Sequence, residues 1–282
     1  MILYVLLWSI IWIILMIIYV NIIKKITKNR TDLTELVRNI AIDNSKKRQI
    51  IWKEVFVIPA YNEWQVIKNT INQILNKWYK NIIVVNDGSK DNTKQIIEKE
   101  FNWKIVLLNH LKNRWQWASL ETWFEYIRRY WKVDYVITFD ADWQHDIDEL
   151  NLFYNQFEKN KELEVVLWSR FINNKSNIPF VRKIILNLWK TFTLIVSWKY
   201  FTDVHNWYRV FKKQTLNKIN ITLDWMAHAS EIQDIIVRKK LKFEEVPIII
   251  KYTDYSLSKW QSSSNAFNIA KEMIWYKLFR NK

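Results

Sequence analysis

The segment NIIVVNDGSKDNTKQIIEKE, residues 81–100, changes character twice. Residues 82–85 are Ile-Ile-Val-Val, a short β-branched run of the kind that forms a strand buried on both faces. Asn86-Asp87-Gly88-Ser89 and Asp91 are turn formers. A helical pattern follows over 92–99. A strand that passes through a polar loop into a helix is half of a βαβ unit. Reading outward, the same alternation recurs. Apolar runs at 55–59, 105–108, 135–139 and 165–167 are interleaved with helical patterns at 64–75, 116–129 and 147–160. This pattern predicts an α/β domain with a mostly parallel sheet, flanking helices and right-handed crossovers. Ligands of such sheets bind beyond the carboxyl ends of the strands. Polar clusters fall there: Tyr61-Asn62-Glu63, Asn86-Asp87-Gly88-Ser89 and Asp140-Ala141-Asp142.

Half of the 282 residues are hydrophobic and a quarter are charged, which excludes a generally disordered chain. There is no cysteine, so disulfides, thiolate metal sites and a cysteine nucleophile are excluded. Residues 1–23 carry no charge, and Ser9 and Asn21 are their clearly polar members. About 20 apolar residues span a bilayer core. A signal peptide would show a basic start and a small-residue cleavage site, and neither is evident. We therefore expect a transmembrane anchor. Lys24, Lys25, Lys28 and Arg30 follow it at once, which puts the C-terminal domain in the cytoplasm as a single-pass membrane protein. The net charge of +15 suits an anionic lipid surface. No nucleic-acid-binding motif is present, so no nucleic-acid partner is expected. We expect a juxtamembrane linker at 24–53, one domain at 54–260 and an amphipathic C-terminal helix at 261–282. Residues 180–197 are apolar with basic interruptions. They suit a helix lying on a membrane, or equally one packed on the sheet.

The composition is abnormal in one respect. Glycine occurs once, at Gly88, and tryptophan 18 times. A chain of this length ordinarily holds roughly 20 glycines, at about 7%. An α/β chain with one glycine has almost nothing to fill its positive-φ turns. We expect most of the tryptophan letters to stand for glycine, through a UGA codon read as glycine in the source.

Asp140 and Asp142 end an apolar run. Two carboxylates at that spacing can turn to one divalent ion, and hard oxygen ligands suit Mg²⁺ or Mn²⁺, which also take diphosphate oxygens. Taken alone the pair is also a common turn. The Asn86–Ser89 loop, with Asp91 and Thr93, could contact a ribose or base, or simply cap the next helix.

Taken together, VIPAYNE at 57–63, VVNDGSKDNT at 84–93 and FDADWQHD at 139–146 resemble the family 2 glycosyltransferases of the GT-A fold. The specific likeness is to the polyprenyl-phosphate (dolichyl-phosphate) mannosyl- and glucosyltransferase branch, over about residues 54–260. In that branch glycine is expected where this chain has Trp115, Trp117, Trp143, Trp168, Trp207 and Trp260. The resemblance implies that Pro59, Tyr61, Glu63 and Asp87 hold base and ribose. It implies that Asp140 and Asp142 bind metal and diphosphate, with Gln144 a third ligand. Arg170 and Arg182 match cations for the acceptor phosphate, and Arg209 and Lys259 suit diphosphate or lid contacts. Surface ion pairing accounts equally well for Arg182 and Lys259. Asp146 departs from the family pattern, which often has proline there. His145 and His228 fit positions near the metal and the acceptor, whereas His110 and His205 read as structural.

The implied reaction is inverting transfer of a sugar from a nucleotide-diphosphate sugar to a polyprenyl phosphate. Such an acceptor is already anionic at neutral pH and needs no general base. The alternatives are transfer to a glycan or glycolipid hydroxyl, and a non-catalytic membrane protein that keeps the fold for binding.

Overall fold

The computed structural model describes residues 51–141, 146–173, 176, 178, 180–204, 207–221 and 227–249. Among the described residues seven strands form one sheet: β1 (Ile51–Ala60), β2 (Ile82–Asn86), β3 (Val106–Asn109), β4 (Lys132–Thr138), β5 (Val165–Ser169), β6 (Arg209–Lys212) and β7 (Phe243–Pro247). Their spatial order is β3-β2-β1-β4-β6-β5-β7. β6 runs antiparallel to both neighbours, and the remaining pairs are parallel. Among the described residues six α-helices accompany them: α1 (Ile67–Asn76), α2 (Thr93–Phe101), α3 (Trp115–Tyr130), α4 (Leu150–Lys159), α5 (Phe180–Ser197) and α6 (Ala227–Arg238).

Strand alternation builds the layers. In β1, Val55 and Val57 face a core with Leu120, Phe124 and Ile127 of α3 and Ile232 and Ile236 of α6. Phe56 and Ile58 face the opposite core, with Ile67, Ile71 and Ile74 of α1, Ile97 of α2 and Phe153 of α4. Both faces of the sheet are therefore covered, which is why its parallel strands read as continuous apolar runs.

The expected strands and first four helices appear with small shifts in their ends. β1 begins at Ile51, so the last residues of the expected linker belong to the sheet: Ile51 and Trp52 pair with Lys132 and Val133. Lys53 and Glu54 disguised that end. β6 and β7 were not anticipated. β6 is four residues long, reads Arg-Val-Phe-Lys and runs against its neighbours, so the strand–helix alternation does not announce it. The expected anchor at 1–23, the linker up to residue 50 and the C-terminal helix lie outside the described residues. Among the described residues no helix is long and apolar enough to cross a membrane.

Helix ends bear on the tryptophan letters. Trp78 follows the C-cap of α1 with φ 67°, and Trp198 follows α5 with φ 54°. Trp78 N–H donates to Leu75 O, and Trp198 N–H to Leu194 O, each at 2.9 Å. This is the left-handed helix-stop position that glycine ordinarily fills. Both side chains are almost wholly exposed, at 84% and 89%, so packing does not compensate. Trp123 and Trp131 are the reverse case. Their indoles are buried, and among the described residues neither N–H has a hydrogen-bond partner, which is uncommon for a native tryptophan.

Candidate active site

The site begins where β1, β2 and β3 end side by side. Asp87 N–H donates to Ala60 O at 2.8 Å, and His110 N–H to Asn86 O at 2.9 Å. These bonds join the loops after the three strands. Gly88 has φ +66°, and a Cβ there would lie 2.5 Å from the carbonyl carbon of Lys112 and 2.6 Å from Asn113 N. The one retained glycine is thus doubly required, by its backbone angle and by the main chain pressed against it. That contact brings the 110–114 segment onto the Asp87 loop. Arg114 N–H, at the cap of α3, donates to Asp87 Oδ1 at 2.9 Å.

A second set of bonds joins the ends of β1 and β2. Asn62, at φ 55°, donates its N–H to Ser89 Oγ at 3.0 Å, and its Oδ1 accepts from Lys90 N–H at 2.9 Å. Glu63 N–H donates to Thr93 Oγ1 at 2.8 Å. Asp91 Oδ1 accepts from Thr93 N–H at 2.9 Å, so Asp91 sets the start of α2. Tyr61 stays 38% exposed at the rim. Asp87 is buried.

β4 carries the third cluster. Asp140 lies two residues past its end and is half-buried. Thr70 of α1 ties this turn down through a 2.7 Å bond from Oγ1 to Ala141 O. Asp146 is placed as well: its Oδ1 accepts from Asp148 N–H at 3.0 Å and opens a short 3₁₀ turn. Because β6 is antiparallel, its first residue, Arg209, reaches the same sheet end as Asp140. Burial pushes the Arg209 guanidinium down to about 9, against the opposing pull of the Asp140 and Asp203 carboxylates. It therefore remains cationic at neutral pH.

The structure brings Tyr61, Glu63, Asp87, Asp140 and Arg209 to one end of the sheet. Pro59 is buried within β1, where it pairs with Val85, so it shapes the strand rather than a surface. Arg170, expected as an acceptor-facing cation, lies inside the protein beside Asp203. It is 2% exposed, and Nε and Nη2 donate to the two carboxylate oxygens of Asp203 at 2.6 and 3.0 Å. Its charge is met inside the protein. Asp142, Gln144, Lys259, His145, His205, Trp143 and Trp260 lie outside the described residues, as do the side chains of Arg182, His228, Trp115 and Trp117. The backbone of residues 115–117 forms the first turn of α3, directly after the Arg114 contact with Asp87.

Two residues escaped the sequence reading. Asp203 carries no local signal, because its partner lies 33 residues away. His110 had one: it follows β3 directly, at the sheet end where polar residues matter. Its Nδ1 lies 2.6 Å from Asp87 Oδ1.

Comparison with known proteins fits this geometry. The profile of Glycosyl transferase family 2 matches residues 55–220. The chain is 32% identical, over 79% of its length and 95% of the relative's, to UDP-N-acetylglucosamine–dolichyl-phosphate N-acetylglucosaminyltransferase of Methanococcus voltae. It is 24% identical to a dolichyl-phosphate beta-glucosyltransferase of Trichomonas vaginalis, covering 79% of this chain and 73% of that one. Among solved structures, glucosyl-3-phosphoglycerate synthase of Mycobacterium tuberculosis with Mn²⁺ and UDP-glucose superposes with a TM-score of 0.56. That match has 13% identity and covers 79% of this chain and 76% of that one. At this identity it speaks for the fold alone.

Proposed function

We propose a reaction from one premise: the chain belongs to glycosyl transferase family 2 and is a glycosyltransferase. The reaction is inverting transfer of a sugar from a nucleotide-diphosphate sugar to a polyprenyl phosphate, at a membrane surface facing the cytoplasm. A phosphate oxygen of the lipid bonds to the anomeric carbon as the bond from that carbon to the diphosphate breaks. The nucleoside diphosphate leaves with the electron pair. No proton need be removed from an acceptor that is already an anion.

The observation that carries the reading is the convergence of Asp87, Asp140 and Arg209 at one sheet end. In this reading Asp87 and Tyr61 receive the nucleoside, and the opening turn of α3 offers backbone N–H groups to the diphosphate. Arg209 opposes the negative charge that grows on the leaving group. Asp140 presents hard carboxylate oxygens at the same edge, a donor chemistry that fits Mg²⁺ or Mn²⁺. With Asp142 and Gln144 it would hold such a cation, which when bound neutralises diphosphate charge.

α5 supports the lipid side. Phe180, Ile184, Leu188 and Ile195 are 45–77% exposed, with Phe180 at 77% and Leu188 at 66%. At 100° per residue they fall within an arc of about 80°. Lys183 flanks that stripe, and the opposite side, with Leu186 and Trp189, packs on the protein. An apolar outward face beside lysines suits the interface of an anionic membrane. Lys190 Nζ lies 3.9 Å from the Phe171 ring centroid, and burial lowers its pKa below the usual lysine value. With Arg170 committed to Asp203, Lys190 and Arg182 are the cations we assign to the acceptor phosphate.

The test is acceptor choice. Full-length protein in anionic vesicles, given Mg²⁺ or Mn²⁺ and UDP- or GDP-sugars, should glycosylate polyprenyl phosphate and leave polyprenol untouched. Equal or preferential transfer to the alcohol would refute the phosphate acceptor.

A further inference from the structure

We propose that His110 is a positioning residue for nucleotide recognition, acting by fixing the Asp87 carboxylate. The inference rests on the reading of Asp87 as a nucleotide contact and goes one step behind it.

His110 is buried, and each ring nitrogen has a partner on a different element. Nδ1 lies 2.6 Å from Asp87 Oδ1. A carboxylate oxygen accepts, so Nδ1 carries the hydrogen and donates. Nε2 lies 2.8 Å from Thr122 Oγ1 on α3, and that oxygen is also 2.8 Å from Ala118 O, so the hydroxyl's one hydrogen serves either the ring or the carbonyl. The imidazole therefore bridges the loop after β2 to the side of α3. Its own backbone is held by Asn86 O.

Arg114 N–H donates to the same Oδ1. Two donors from the 110–114 segment, a ring N–H and a backbone N–H, converge on one oxygen, and among the described residues none bonds Oδ2. The carboxylate is thus locked about its torsion, with Oδ2 left for a ligand. A carboxylate held in this way has lost its rotational freedom before the nucleotide arrives, so binding need not order it. Gly88 completes the unit, because its contact with the Lys112–Asn113 backbone keeps His110 and Arg114 at bonding distance.

The competing account is a buried histidine that only fills space, and two isosteric variants separate the cases. His110→Asn places an amide N–H near the position of Nδ1 and keeps the bond to Asp87. His110→Gln places its amide near Nε2 and keeps the bond to Thr122 instead. Calorimetric titration of the full-length protein with UDP and with GDP should first show binding of at least one. Asp87→Asn should weaken that nucleotide. His110→Gln should then raise its Kd about tenfold, and His110→Asn should stay within about threefold of wild type, with equal unfolding midpoints for the two. Should His110→Gln fail to fold, Thr122→Val removes the second anchor of the ring and should also raise the Kd. Equal affinities in the two His110 variants, or losses that follow unfolding midpoint alone, would overturn the positioning role while leaving the nucleotide site intact. No binding of either nucleotide, or no effect of Asp87→Asn, would overturn the Asp87 reading and the proposal with it.

Discussion

Arg170 and Asp203 form a two-pronged ion pair in which neither side chain is more than 2% exposed. Asp203 also accepts from the backbone N–H of Arg170 at 3.1 Å, and its carbonyl accepts from Gln233 Nε2 at 2.9 Å. The pair thereby joins the end of β5 to α6. Removing one member of such a pair strands the other charge in a low-dielectric interior. We expect Asp203→Ala to cost about 3–5 kcal/mol in urea unfolding. A loss below about 1 kcal/mol would mean that Arg170 finds its counter-charge elsewhere, and would restore it as a ligand cation.

Trp78 and Trp198 sit at left-handed helix stops with exposed indoles. In protein made with the literal sequence, Trp78→Gly and Trp198→Gly should each stabilise the fold by about 1 kcal/mol, since a side-chain-bearing residue there carries a cost of roughly 1–2 kcal/mol. Denaturant midpoints report this directly. In protein from the native source, peptide mass spectrometry across residues 113–118 should show glycine at 115 and 117. Intact tryptophan at those two positions in active native protein would end the recoding account.

Gly88→Ala tests the opposite case. Its Cβ would meet the main chain of Lys112 at 2.5 Å, and main chain cannot swing aside as a flexible side chain can. The 110–114 segment must then move away from Asp87. We expect weaker nucleotide binding by tenfold or more, together with a stability loss of at least about 1 kcal/mol. Unchanged nucleotide affinity would show that the loop contact does not shape the site.

The parallel half of the sheet was legible because burial on both faces writes its strands as unbroken apolar runs, as at Ile82–Asn86. The sites after those strands were legible for the same reason, and Asp87 and Asp140 lie where strand ends predict. β6 was hidden by its shortness and its basic ends. The Arg170–Asp203 pair was hidden because a long-range ion pair leaves no periodic trace. His110 was read as structural, which is correct for its burial but misses what it holds. A single sequence shows the residue and not the carboxylate 2.6 Å from it.

The outward face of α5 carries the membrane reading. Leu188→Glu with Ile195→Glu changes only exposed positions, at 66% and 67% exposure. The fold should therefore stand, and turnover with soluble nucleotide-sugar and detergent-dispersed acceptor should persist. Binding to anionic vesicles should fall severalfold in a variant lacking residues 1–23, where α5 is among the contacts that remain. Vesicle binding equal to that of the unsubstituted truncation would remove α5 from the membrane interface.

The central claim is that sugar is placed on a lipid phosphate. Phosphorus NMR of polyprenyl phosphate incubated with full-length protein, a divalent cation and the nucleotide-sugar it binds tests this directly. The phosphomonoester signal should give way to a phosphodiester signal, one for each nucleoside diphosphate released. Release of nucleoside diphosphate while the monoester signal stays unchanged would contradict the account.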